Sequence, residues 1–125
     1  MNADAILHVA SHEISSGGDE TAQAYRLIAR GELDMASAPI LSEAFASLLG
    51  NGATLVVLDA TDIGFLDSYG LRAIVTAGNS LSALGGQLLI EGMSGAVRRV
   101  LEISGLLERY RTQTENSSTR SSPAE

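Results

Sequence analysis

The chain has 125 residues, 15 acidic and 8 basic, with a formal net charge of -7 and 45% hydrophobic but only 4% aromatic side chains, which describes one small globular domain. It holds no Cys, no Trp and no Lys, so every basic side chain is an Arg; a disulfide framework, a thiolate nucleophile, a Cys-ligated metal, a Schiff-base amine and a Lys-bearing phosphate loop are all excluded. The acidic balance argues against a direct nucleic-acid or anionic-membrane partner, because binding phosphates requires a basic patch.

Apolar stretches are only a few residues long, far from the roughly 20 needed to span a bilayer, so no membrane insertion is expected. Met1-Asn2-Ala3-Asp4 carries an acid where a secretory signal carries positive charge, and the expected location is cytoplasmic.

Imperfect alternation from Ile6 to Ile14 predicts a strand, the polar run Ser15 to Thr21 a loop, and Ala24 to Ala29 the second arm of a hairpin. Ser37 is placed to cap a helix with Pro39 in its first turn, and Ile40, Leu41, Ala44, Phe45, Leu48 and Leu49 recur at helical spacing until Gly50-Asn51-Gly52. Leu55 to Leu58 is a continuous apolar run, suited to a central strand covered on both faces. A loop from Ala60 to Asp67 leads to a second helix with Leu71, Ile74, Val75, Gly78 and Leu81 on one face, closed by Gly85-Gly86.

Leu88 to Ile90 predicts another buried strand. Ser94 caps a third helix that turns Val97, Val100 and Leu101 inward and ends at Gly105, and Leu106 to Thr112 reads as one more short strand. Residues 113–125 contain no large apolar side chain to repay the entropy of ordering, so the domain is expected over residues 1–112 and a disordered Ser-rich tail over 113–125. Strands alternating with helices predict an α/β fold with a mixed sheet of four to five strands flanked by three to four α-helices.

The segment Phe65-Leu66-Asp67-Ser68-Tyr69-Gly70-Leu71 lies between a buried strand and an amphipathic helix, with Phe65 and Leu66 expected to anchor it and Asp67 or Ser68 to begin the helix. A hydroxyl there faces unpaired backbone amides and the positive end of the helix dipole, so a phosphate on Ser68 would be favoured by roughly 0.3–1 kcal/mol. It would add about -1.5 to -2 charge beside Asp67. The same spacing is also met by a plain capping pair with Gly70 allowing close helix–sheet approach.

From about Tyr25 to Tyr110 the chain resembles the anti-sigma factor antagonist family of STAS domains. The likeness is carried in order by Gly31-Glu32-Leu33-Asp34, Leu55 to Asp59, the Phe65–Leu71 segment and Ser104-Gly105-Leu106. The resemblance implies a non-enzymatic switch needing no cofactor. Unphosphorylated, it binds an anti-sigma factor that is a serine kinase of the GHKL ATPase type and so releases a sigma factor; that kinase phosphorylates Ser68 to end the contact, and a metal-dependent serine phosphatase reverses the step. Partner-binding residues implied are Asp34, Asp67, Ser68, Tyr69, Gly70 and Leu71. Tyr69 departs from the pattern, standing where relatives often have a small residue, and residues 113–125 lack the apolar stripe of the amphipathic helix that commonly closes the family.

STAS-like domains also act as constitutive subunits of membrane lipid-transport ABC complexes, and in that reading Ser68 is a contact or a cap. Other chemistry is thin: His8, His12 and Glu13 do not make a metal site by spacing alone, no Gly-x-Ser-x-Gly elbow surrounds Ser68, and Arg98 and Arg99 suit a solvated helix face.

Overall fold

Two amphipathic helices and a run of β-branched and Leu residues leave this chain one economical solution, a sheet with helical crossovers on one face. The computed structural model describes residues 7–14, 23–93 and 95–111. In chain order the elements are β1 (Leu7–Ile14), β2 (Ala24–Leu33), α1 (Ala38–Gly50), β3 (Leu55–Leu66), α2 (Ser68–Ala83), β4 (Gln87–Glu91), α3 (Gly95–Ser104) and α4 (Leu107–Tyr110). The sheet is ordered β1-β2-β3-β4. β1 runs antiparallel to β2, from Leu7 opposite Gly31 to Ile14 opposite Ala24, and β2, β3 and β4 are parallel to one another.

α1 packs on β1, β2 and α2, while α2 packs on β3 and β4, so both crossover helices share a face. That face carries Leu27, Ala29, Val56, Leu58, Leu88 and Ile90, all buried, against Leu41, Phe45 and Leu48 of α1 and Ile74 and Leu81 of α2. Val97 and Leu101 of α3 complete the core. The opposite face bears His8 and His12, both exposed, with Arg26 and Glu91 ion-paired across β3 and Arg30 3.7 Å from Asp62. The central strand is driest on the helix-covered side, where Val56 and Leu58 are buried at 1% and 0%; on the other side Val57 is also buried, at 9%, beside half-buried Leu55.

Several expectations are corrected. β2 continues past Ala29 to Leu33, and the stretch expected as a loop over Ala60 to Asp67 is strand as far as Leu66. Its periodicity is masked by two bulges: residues 28 to 30 on β2 face 59 to 62 on β3, and 31 to 32 face 63 to 65. Each inserts one residue into β3, so Ala60, Ile63 and Leu66 are buried at a spacing of three instead of two.

The expected strand over Leu106 to Thr112 is, at Leu107–Tyr110, the short helix α4, which turns the Tyr110 ring inward over Gly78 and Leu88. A Cβ at Gly78 would lie 3.1 Å from the Tyr110 ring, so the glycine makes room for it. Among the described residues of this stretch, Arg111 alone bridges to the sheet, beside Ile90. Ile40, expected inward, is 38% exposed. The Ser15–Thr21 loop, Ser94, Thr112 and the tail 113–125 lie outside the described residues. No helix among the described residues is long and apolar enough to cross a membrane.

Candidate docking site

The end of β3 and the start of α2 meet the turn that follows β2. Asp67 sits between Leu66 and Ser68 in extended backbone and caps α2: its Oδ1 accepts the N–H groups of Tyr69 at 2.9 Å and Gly70 at 3.0 Å. Its Oδ2 accepts the Met35 N–H at 3.2 Å, and its own N–H donates to the Leu33 carbonyl. One carboxylate thus ties the helix start to the turn after β2.

Asp34 does the corresponding work inside that turn, its Oδ1 accepting the N–H groups of Ala36 at 3.0 Å and Ser37 at 3.1 Å. Ser37 begins α1 by position, but its side chain makes no cap bond. It is fully buried, donating to the Glu32 carbonyl at 2.7 Å and accepting the Asp34 N–H at 2.9 Å.

The structure brings Asp34 and Asp67 to one corner, each half-buried and each spent on backbone amides. Ser68 stands exposed there, and its hydroxyl has no hydrogen-bond partner among the described residues. The amides expected to await a phosphate are not free, since Asp67 already takes those of Tyr69 and Gly70. Of the help expected for an added phosphate, the helix dipole remains.

Gly70 is buried, and a Cβ on it would lie 2.5 Å from the Leu33 carbonyl oxygen and 2.7 Å from side-chain carbons of Leu33 and Leu66. The first turn of α2 is pressed onto the sheet as only glycine allows. Leu71 is half-buried.

Around Asp67 the surface is apolar: Met35 is 61% exposed, Phe65 48% and Tyr69 50%. Leu66 anchors the segment as expected, but Phe65 points outward. Met35 and Phe65 are thus surface residues of the site that sequence reasoning missed. The available signal was a lone Met in the polar turn Asp34-Met35-Ala36-Ser37, and a Phe next in strand to a buried Leu.

Further along β3, burial opposes the charge of Asp59, but the hydroxyl and N–H of Thr61, at 2.6 and 3.0 Å, with the guanidiniums of Arg26 and Arg30, outweigh it and hold its carboxyl below the usual range. Gly92, with φ +65°, closes over this pair, and a Cβ there would collide with the Thr61 hydroxyl. Among the described residues no three His, Cys, Asp or Glu side chains could hold a metal ion.

The family profile described as STAS domain matches residues 20–118. The chain belongs to the STAS domain family. This STAS domain is 36% identical over 76 residues to the anti-sigma-B factor antagonist of Bacillus subtilis, covering 61% of this chain and 69% of that one. In fold it is similar to an anti-sigma factor antagonist from Mycobacterium paratuberculosis, with TM-score 0.67 and 22% identity over 90% of this chain and 93% of that one. It is also similar to the Bacillus cell fate determinant SpoIIAA in its phosphorylated form, with TM-score 0.57 and 21% identity over 88% and 98%.

Proposed function

We propose that this STAS domain is an anti-sigma factor antagonist switched at Ser68. Unphosphorylated, it docks on a GHKL-type serine-kinase anti-sigma factor through the corner built by Asp34, Asp67, Ser68, Tyr69, Gly70 and Leu71, widened by Met35 and Phe65, and the sigma factor is released. The observation that carries this reading is an exposed hydroxyl, without a partner among the described residues, on a backbone clamped from two sides and flanked by exposed apolar side chains. Such a ring offers contact area to a partner, while the clamp means that docking costs little ordering.

In the switching step a base on the kinase takes the Ser68 proton, the hydroxyl oxygen attacks the γ-phosphorus of ATP, and ADP leaves. The phosphate adds about -1.5 to -2 charge to an interface that the unmodified face enters with a neutral hydroxyl. Because Ser68 holds no side-chain bond among the described residues, modifying it leaves their packing intact, and the effect falls on the partner. A metal-dependent serine phosphatase restores the first state by hydrolysis. That SpoIIAA, a protein of the same fold, occurs phosphorylated supports the reading.

The test mixes the protein with the kinase-type anti-sigma factor encoded beside it and ATP, followed by intact-mass and peptide mass spectrometry. A single phosphate on Ser68, absent from Ser68→Ala, is expected. No modification, together with stable co-purification with a transporter ATPase, overturns the switch in favour of a constitutive lipid-transport subunit.

A further inference from the structure

A phosphate on Ser68 meets an awkward setting. Asp67 is adjacent, Asp34 shares the corner, the chain is acidic overall, and the Tyr69 and Gly70 amides are occupied. We propose that Arg72 is its counter-ion, a guanidinium placed one helical turn beyond the acceptor that folds back onto the phosphate. The inference rests on Ser68 being the phosphorylated residue.

Ser68 and Arg72 are four residues apart in α2, and both are exposed. Residues at that spacing are neighbours on one helix face, with Cβ atoms about 5–6 Å apart, and an anion N-terminal to a cation is the favourable order. Side chains on a helix lean toward its N-terminus, which is the direction from Arg72 to Ser68.

Arg72 has no hydrogen-bond or ion-pair partner among the described residues, whereas Arg26, Arg30, Arg109 and Arg111 are engaged by Glu91, Asp62, Asn79 and Glu108. No bond to a described residue has to break for it to move. A guanidinium fork also matches a phosphate geometrically, presenting parallel N–H donors to adjacent oxygens. In the unmodified chain both side chains are exposed, one turn apart, with no partner among the described residues. After modification it is drawn onto the phosphate, so the docking face loses a neutral hydroxyl and a free guanidinium together.

The experiment uses the full chain carrying phosphoserine at position 68, installed during translation so that no kinase is needed. Phosphorus NMR then follows the second ionisation of the phosphate in the wild type, Arg72→Gln and Arg72→Lys at low and at molar salt. At low salt the midpoint in the wild type is expected about 0.2–0.4 pH unit below that of Arg72→Gln. Lys is expected to preserve most of the difference and molar salt to remove most of it. In parallel, the Arg72 Nε–H resonance shifts on phosphorylation.

Superimposed titrations of the wild type and Arg72→Gln at low salt, with an unmoved Arg72 resonance, overturn the proposal. Circular dichroism of each variant checks that the fold is kept. Because the phosphate is installed directly, failure of a kinase to modify Ser68 defeats the proposed function and leaves this measurement intact. Modified Ser68 with superimposed titrations does the reverse.

Discussion

Helices α1 and α2 begin within hydrogen-bonding reach of each other, and each start pairs an Asp with a Ser, yet the two serines meet opposite fates. At α1 the carboxylate of Asp34 gathers the amides of Ala36 and Ser37, and the Ser37 hydroxyl is driven fully inside to join the Glu32 carbonyl and the Asp34 amide. At α2 the carboxylate of Asp67 gathers the amides of Tyr69, Gly70 and Met35, and the Ser68 hydroxyl is left outside with no partner among the described residues. In both cases an Asp carboxylate gathers backbone amides, Asp34 in the turn before α1 and Asp67 as the cap of α2. What separates the serines is position: Ser37 lies three residues after its Asp, folded under the turn, and Ser68 lies directly after its Asp, on the first outward position of the helix. A hydroxyl with structural bonds cannot be spent on a switch, and one without them can.

The contrast can be broken most violently at Gly70. Gly70→Val drives a side chain into the Leu33 carbonyl and Leu66, and a loss of about 3 kcal/mol is expected in urea unfolding. Ser37→Ala strands a buried donor and acceptor and is expected to cost about 1–3 kcal/mol. Asp67→Ala removes the cap and the tie to Met35, with an expected loss of about 1–2 kcal/mol by the same measurement. Ser68→Ala is expected to change stability by less than about 0.5 kcal/mol while abolishing phosphate incorporation. A Ser68→Ala loss equal to that of Ser37→Ala would erase the distinction between the two serines.

A control lies away from the corner, at Asp59. Its carboxyl is held below the usual range in the folded chain, so its ionised form stabilises the fold at pH values above the unfolded value of about 3.9. The gain is lost as pH falls through the lower folded value. The stability difference between the wild type and Asp59→Asn is therefore expected to be constant above about pH 5 and to shrink in acid, as followed by urea unfolding across pH 2.5–6.

Much of the fold was legible in local pattern. Helix faces such as Leu41, Phe45 and Leu48, a start of α2 at Asp67 or Ser68 and the run Leu55 to Leu58 follow from spacing alone. The second half of β3 was not legible, because its backbone is paired by β2 across two bulges that spoil the alternation of its buried residues. The turn from Tyr110 to helix instead of strand depended on the space left by Gly78, more than 30 residues earlier. A lone exposed Arg on a helix is ordinary, and Arg72 carries a signal only once Asp67 is seen to occupy the Tyr69 and Gly70 amides that a phosphate on Ser68 would otherwise use.

The sequence by itself determined the chemistry on offer: no thiol, no amine, a negative excess, and an Asp-Ser pair at a helix start. It also determined the alternation of strand and helix, since periodicity and capping are properties of neighbours along the chain. Only the tertiary structure decided which serine faces solvent, that Asp34 and Asp67 share one corner, and that Met35, Phe65 and Tyr69 surround it. Burial and long-range hydrogen bonding are set by segments distant in sequence, here the ends of β2 and β3 brought side by side by the sheet.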